Sequence, residues 1–258
     1  ANKLAQGDTF LVKIPSIVNI NEVSGWFGTT KMKFFKFGNG LAGIVGIDAK
    51  QKTGNYKLAI NFLDNYRIEK EINVAKRNFP VTELAFTPEL EEKGYNATSV
   101  VETIATKDGV ALKNALATSS PAAYFNKPFI YPLKKIKDVG AFGNIRKSGE
   151  IALQHLGVDL EATTGTTVFA INDGVVRFSQ ELTTYGKTLI IDHGMGIFSL
   201  YLHFNEFKVS KDQKVKRGET IALSGNTGYS IAPHLHFSVR ANGASVDPLK
   251  FIELLTNL

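Results

Sequence analysis

The chain has 258 residues, 43% hydrophobic and 21% charged, with 23 glycines and 8 prolines, values that exclude a disordered or collagen-like chain and leave room for two domains. It contains no cysteine, which removes thiolate metal sites, thiol catalysis and disulfide scaffolds together. Net charge is +6, but residues 1–125 and 126–258 each carry 15 basic and 12 acidic side chains. No basic tail or stripe therefore marks a nucleic-acid binder, and the even positive charge favours an anionic polymer or surface only weakly.

In chain order, residues 1–20 lack a basic region followed by an apolar core and a cleavage site, so no signal peptide is expected. Strands are predicted at 9–14, 31–37, 41–47, 56–62 and 66–74, each rich in β-formers and bounded by Gly, Asn or Asp. In 66–74, Tyr66, Ile68, Ile72 and Val74 share one face, which suits a half-exposed strand. The segment 41–47 is the longest apolar run; it is strand length, far short of the roughly 18 residues of a membrane span. Strands at this spacing suggest a small β-sandwich. A helix follows, with Ser99 and Glu102 as an expected capping box and Val101, Ile104, Ala105, Leu112 and Leu116 at helical spacing, weakened by Gly109. The break at 118–121 places a boundary near 121–127. Strands are predicted again at 167–170, 174–178, 188–192, 197–204, 220–224 and 234–239, and a C-terminal helix at 249–255 with Pro248 near its first turn. The expected fold is mainly β: an N-terminal sandwich-like domain over 1–95, a short linking helix over 96–126, and a C-terminal antiparallel sheet domain over 127–258.

All five histidines, His155, His193, His203, His234 and His236, lie in the second half. In a strand, His234 and His236 share a face while Leu235 and Phe237 point to the core. Two adjacent imidazoles repel when both are protonated, so a bound cation is a natural use for them. His155 and Asp159 stand four apart with Gly157 between them, which favours a loop or strand over a helix. In Ser199-Leu200-Tyr201-Leu202-His203-Phe204, alternation places Ser199, Tyr201 and His203 on one face and Leu200, Leu202 and Phe204 on the other. There His203 is free to act as acid, base or hydrogen-bond donor. His193, in Asp192-His193-Gly194, reads as a structural turn residue.

Together these pieces resemble the LytM/lysostaphin-type zinc metallo-endopeptidases of bacterial cell walls. The resemblance covers about residues 128–252. It rests on Phe142-Gly143 with Arg146, His155-x-Gly157-x-Asp159, Gly165-Thr166-x-Val168, Asp173-Gly174-x-Val176, His193-Gly194-x-Gly196, Tyr201-x-His203, Val215-x-Arg217-Gly218, Gly225-x-Thr227-Gly228, Pro233-His234-x-His236-Phe237 and Val246-Asp247-Pro248. The first half is more loosely similar to the Ig-like domain that precedes some of these peptidases. The resemblance implies Zn2+ held by His155, Asp159 and His236, with a fourth position open to water, and His203 and His234 as unliganded catalytic histidines. It implies hydrolysis of peptide bonds in peptidoglycan stem peptides or crossbridges, in the periplasm or as a secreted protein.

Two positions depart from the family pattern. Ala232 stands where a glycine is common, and the upstream tyrosine that some members place beside the oxyanion is unassigned, with Tyr131 as the candidate. The alternative is a non-catalytic peptidoglycan-binding or hydrolase-activator protein with a vestigial zinc site; retention of all five groups argues against it. A biotinyl- or lipoyl-type carrier is a weaker rival, because no lysine sits on the required turn. The loops 179–187 and 225–233 are expected to decide which bond is cut. The N-terminal half, which lacks histidine, is expected to position or gate the enzyme, with a regulatory protein partner as one route, and a fragment beginning near Lys127 is expected to fold alone.

Overall fold

A computed structural model of the chain describes residues 3–15, 19–63 and 66–256, and most of its elements are strands. The first half forms two sheets. A five-stranded sheet runs in the order Leu4–Ala5, Arg67–Ala75, Gly54–Phe62, Val23–Phe27, Thr30–Met32, and a three-stranded sheet runs Thr9–Ile14, Gly40–Gly46, Phe34–Phe37. The predicted 31–37 strand is divided at Lys33: Met32 lies opposite Gly25 in the first sheet and Phe34 opposite Gly43 in the second. The layers enclose Ile14, Phe27, Met32, Leu41, Val45, Ile60 and Val74. The apolar face read for 66–74 is covered only towards its end, since Val74 is buried while Tyr66 and Ile68 are exposed.

The second half is built on an antiparallel sheet in the order Asp138–Gly140, Val158–Glu161, His234–Ala241, Ile197–Phe204, Gly186–Gly194, Gly174–Leu182, Lys214–Val215. One face of this sheet holds the main core, including Leu160, Ile191, Tyr201, Phe204, Leu235 and Phe237. The other face is roofed by the helical segment.

That segment begins earlier than the sequence suggested. Asn96 caps Ala97–Thr103: its Oδ1 accepts from Ser99 N–H and its own N–H donates to Ser99 Oγ, both at 2.9 Å. Ser99 is therefore the inner member of the box rather than its cap. A π-turn over Ile104–Asp108 then leads into Gly109–Leu116. A Cβ at position 109 would run into the Ile104 carbonyl oxygen, so glycine is what lets the widened turn close. Ala111, Leu112, Ala115 and Leu116 pack on Phe178, Leu182, Ile190, Phe198, Leu200 and Leu202. Buried Asp108 accepts from the backbone N–H groups of Thr183 and Thr184 at 3.2 and 2.6 Å, which pins the helix to the 183–186 hairpin.

The two halves meet over a continuous core. The Gly40–Gly46 strand is buried on both faces: Leu41 and Val45 fill the sandwich, while Ala42 and Ile44 join the core of the second half. Hydrogen bonds extend this contact, from Ser245 N–H to Asp48 Oδ2 (2.7 Å), Asn242 Nδ2 to Ile44 O (2.9 Å) and Arg77 Nη2 to Asp247 Oδ2 (2.7 Å). The short strand Val81–Glu83 also crosses over, pairing in parallel with Ile145–Ser148.

Candidate metal centre and cleft

Strand register brings the first two groups together. Asp159 lies directly opposite His236, and Leu160 opposite Leu235. The carboxylate and the imidazole therefore emerge on one face while Leu235 and Phe237 are fully buried on the other. His155 follows the strand Ile151–Gln154, and its backbone is tied on both sides, N–H to Asn144 O (2.8 Å) and carbonyl to Gly143 N–H (2.7 Å). Between them the chain passes over the His236 ring at Gly157, where a Cβ would stand 2.5 Å from His236 Nε2 and 2.7 Å from Phe237 O.

His155 Nε2, His236 Nδ1 and Asp159 Oδ1 form a triangle with three sides of 2.9 Å. The outer hydrogen bonds decide where the protons are. His155 Nδ1 faces the Ala141 carbonyl at 3.0 Å, an acceptor only, so Nδ1 carries a proton and the neutral ring presents a bare Nε2. Ser238 Oγ donates its single proton to Leu156 O (2.9 Å) and so accepts from His236 Nε2–H (2.9 Å), which leaves His236 Nδ1 bare. With both rings neutral, three lone pairs face one another with no proton between them. A cation placed among them would relieve that repulsion, and the three groups could hold one. Arg146 Nη2 donates to Asp159 Oδ2 at 2.6 Å, turning the other oxygen towards the imidazoles.

His234 and His203 stand beside this triangle. His234 Nδ1 donates to Ala232 O at 2.8 Å, and its Nε2 lies 3.5 Å from Asp159 Oδ1. His203 Nδ1 donates to Thr227 O at 2.7 Å, leaving its Nε2 bare. The two rings are 4.9 Å apart, and His203 is 6.2 Å from the His236 ring.

The route by which His203 arrives differs from the alternation read in sequence. Tyr201 lies opposite Leu189 and Phe204 opposite Lys187, so Leu202 and His203 face the single residue Thr188 across a β-bulge. His203 sits at φ 65°, in the left-handed region that non-glycine residues rarely occupy. The extra residue turns its ring to the Leu200 and Leu202 side and sends Phe204 into the core beside Tyr201. Fully buried Ser199 and Tyr201 face that core rather than the cleft.

Burial sets the protonation of this cluster. It pushes His203 down to about 3 and His236 down to about 4, so both rings are neutral near pH 7. It also lowers His234, but the neighbouring Asp159 outweighs it and leaves this ring above the ordinary histidine value. Burial would raise the Asp159 carboxyl; an imidazole that carries its proton on the inner nitrogen donates to the carboxylate, overcomes burial and holds the group well below the usual carboxylate range.

The remaining expected residues fall elsewhere. His193 is buried away from the cluster, with Nδ1 on Asp173 O (2.8 Å) and Nε2 on Ser199 Oγ (2.7 Å). Tyr131 packs against the main core and does not line the cleft. Tyr229, which the sequence did not single out, does line it, and its hydroxyl donates to Ala85 O at 2.6 Å. Ala232 holds His234 through its backbone carbonyl and has no left-handed φ, so the position needs no glycine.

The histidines divide the cleft into two arms that share Arg146, His203, Tyr229 and His236. The outer arm, about 360 Å³, is edged by Thr82, Glu83, Val139 and residues 231–233. The inner arm, about 240 Å³, runs under the helical roof towards Arg240.

Comparison with known proteins converges on the same segment. Residues 153–248 match the model of Peptidase family M23. An uncharacterized metalloprotease of Haemophilus influenzae is 42% identical over 96 residues, covering 37% of this chain and 20% of that protein. The peptidoglycan DD-endopeptidase ShyA of Vibrio cholerae is 40% identical over 96 residues, 37% of this chain and 22% of ShyA. The murein hydrolase activator NlpD of Escherichia coli is 38% identical over 97 residues, 37% of this chain and 25% of NlpD. The matched region thus spans a quarter or less of these relatives. A solved structure of a Pseudomonas aeruginosa protein assigned to peptidase M23 shares the fold, with a TM-score of 0.65 at 22% identity over 97% of this chain and 95% of that one. The chain carries, over residues 153–248, a Peptidase family M23 domain of the LytM/lysostaphin type.

Proposed function

We propose that the chain is a zinc endopeptidase that hydrolyses peptide bonds in peptidoglycan stem peptides or crossbridges, in the periplasm or outside the cell. The observation that carries this reading is the triangle of bare lone pairs on His155, Asp159 and His236 beside two further imidazoles. Two imidazole nitrogens and one carboxylate suit zinc and leave a fourth position open. When bound, zinc would supply a Lewis acid and a water of lowered pKa. The protein supplies the remainder. The Ala141 carbonyl and Ser238 Oγ keep both ligand rings in the metal-binding tautomer, and Arg146 orients the carboxylate. His203 and His234, each anchored through Nδ1 to a backbone carbonyl, have Nε2 available. One can take the proton of the attacking water at Nε2; the other, protonated, can donate to the oxygen that gains charge.

The names of relatives such as ShyA support peptidoglycan as substrate, and NlpD keeps an activator role as the competing reading. Retention of both unliganded histidines favours hydrolysis, since an activator has no need of them. The first half, by this reading, positions the enzyme on the wall or on a regulatory partner. The deciding experiment incubates purified protein with sacculi, with and without a chelator. Soluble muropeptides released only by metal-loaded protein support the endopeptidase; fully loaded protein that releases none leaves the activator.

A further inference from the structure

The inner arm of the cleft ends on a cation that lacks an anion. His236, Ser238 and Arg240 alternate along the strand His234–Ala241 and share the cleft face, with Arg240 about 13 Å beyond His236 at ~3.3 Å per residue. The half-buried Arg240 guanidinium has two weak contacts, Nη1 to Leu156 O and to Val239 O, both at 3.3 Å. Among the described residues, no carboxylate lies within ion-pair distance of it. The other partly buried arginines behave otherwise: Arg77, Arg146 and Arg177 each meet an aspartate, at 2.7, 2.6 and 2.9 Å. The acid nearest in influence, Asp48, has both oxygens engaged by backbone N–H groups of Lys50 and Ser245, at 2.8 and 2.7 Å. A partly buried guanidinium without a counter-charge is costly, and its planar fork is shaped for a carboxylate.

The surroundings say where that carboxylate comes from. Leu200 and Leu202, opposite Ser238 and His236, line the arm between the histidines and Arg240; Ile104 and Leu112 belong to the helical roof, and Lys50 brings a second positive charge. At about 240 Å³ the arm suits a short peptide end rather than a continuing chain, and its other end opens on His155, His203 and His236. We propose that the inner arm binds a free carboxylate on one side of the scissile bond, with Arg240 as the specificity-determining residue. This rests on the peptidase reading and deepens it: the preferred substrate is a stem peptide with an unblocked carboxylate, at its C-terminus or on a side chain.

The experiment measures binding separately from turnover. Zinc-loaded protein is titrated calorimetrically with a peptidoglycan tetrapeptide in three forms: the free acid, the C-terminal amide, and the form amidated on its side-chain carboxylates. Whichever amidation weakens binding at least tenfold identifies the carboxylate that Arg240 holds. Arg240→Gln abolishes that difference, Arg240→Lys keeps part of it, and both retain the parent's zinc content. In turnover, amidation raises KM with little change in kcat. Equal binding of all three forms by the parent overturns the proposal, as does a preference that survives in Arg240→Gln. The parent's ratio needs no variant to fold. Failure to cut sacculi counts against the peptidase reading alone, because the acid-against-amide ratio is read without cleavage.

Discussion

Gly157→Ala tests the metal centre at its tightest point. The added methyl would stand 2.5 Å from His236 Nε2 and 2.7 Å from Phe237 O, and closer still to Ser238 Oγ. It falls on the bond by which Ser238 fixes the His236 tautomer, so the ring must shift or the 155–159 segment must lift. Overpacking of this kind costs roughly 1–3 kcal/mol, and a melting point falls by about 2–4 °C per kcal/mol in a chain of this size. Loss of the ring's outer partner lowers metal affinity a further ~10–100-fold. Ser238→Ala is the matched control: it removes the partner without the clash, so it should lose affinity with a smaller change in melting. Zinc affinity is read by competition with a chromogenic chelator, and stability by thermal unfolding of the metal-free protein. Parent-like affinity in both variants would refute the claim that outer hydrogen bonds fix the tautomers.

His155→Ala and His236→Ala are each expected to lose zinc on elemental analysis. His203→Ala and His234→Ala should keep zinc yet lose turnover by about a hundredfold or more; metal loss in His234→Ala would mean that the wrong member of the His-x-His pair was assigned as ligand. His193, pushed down to about 4 by burial, stays neutral in the fold while the unfolded chain protonates near 6.5. Protons therefore favour the unfolded state as pH falls from 6.5 to 4, removing about 3 kcal/mol. Urea unfolding across that range should show a shallower loss for His193→Gln than for the parent, and equal slopes would contradict it. A fragment beginning near Lys127 is now expected to aggregate rather than fold, because it would bare Phe198, Leu200 and Leu202 together with the face that receives Ala42 and Ile44. A soluble fragment with a cooperative melt would restore the earlier expectation.

Much of the centre could be read from period-two alternation. It placed His234 and His236 on one face and Leu235 and Phe237 on the other, and the structure keeps that arrangement. Alternation failed at His203 because a bulge adds one residue, and nothing in Leu202-His203-Phe204 announces it. The helix start was misread by three residues: Asn96 and Ser99 can each serve as cap or box partner, and only the backbone geometry decides. Arg240 escaped notice because a lone arginine on a strand carries no signal until its lack of a carboxylate is seen. Tyr229 was hidden for a different reason, since its partners Ala85, Phe86 and Tyr95 are distant in sequence. The apolar run at 41–47 was read only as a strand, and its covering on both faces was not legible because the second layer lies some two hundred residues away, as the Asn242 contact with Ile44 shows.

That doubly covered strand couples the two halves thermodynamically. Anything that binds only the folded cleft stabilises the sandwich too, because neither can melt while the other keeps its packing. The reverse holds with equal force: a cavity opened at Ala42 or Ile44, far in sequence from every histidine, lowers the fraction of molecules able to hold metal at all. Substitutions that weaken activity in this protein therefore need not map near the cleft, and rescue by excess metal would be their signature.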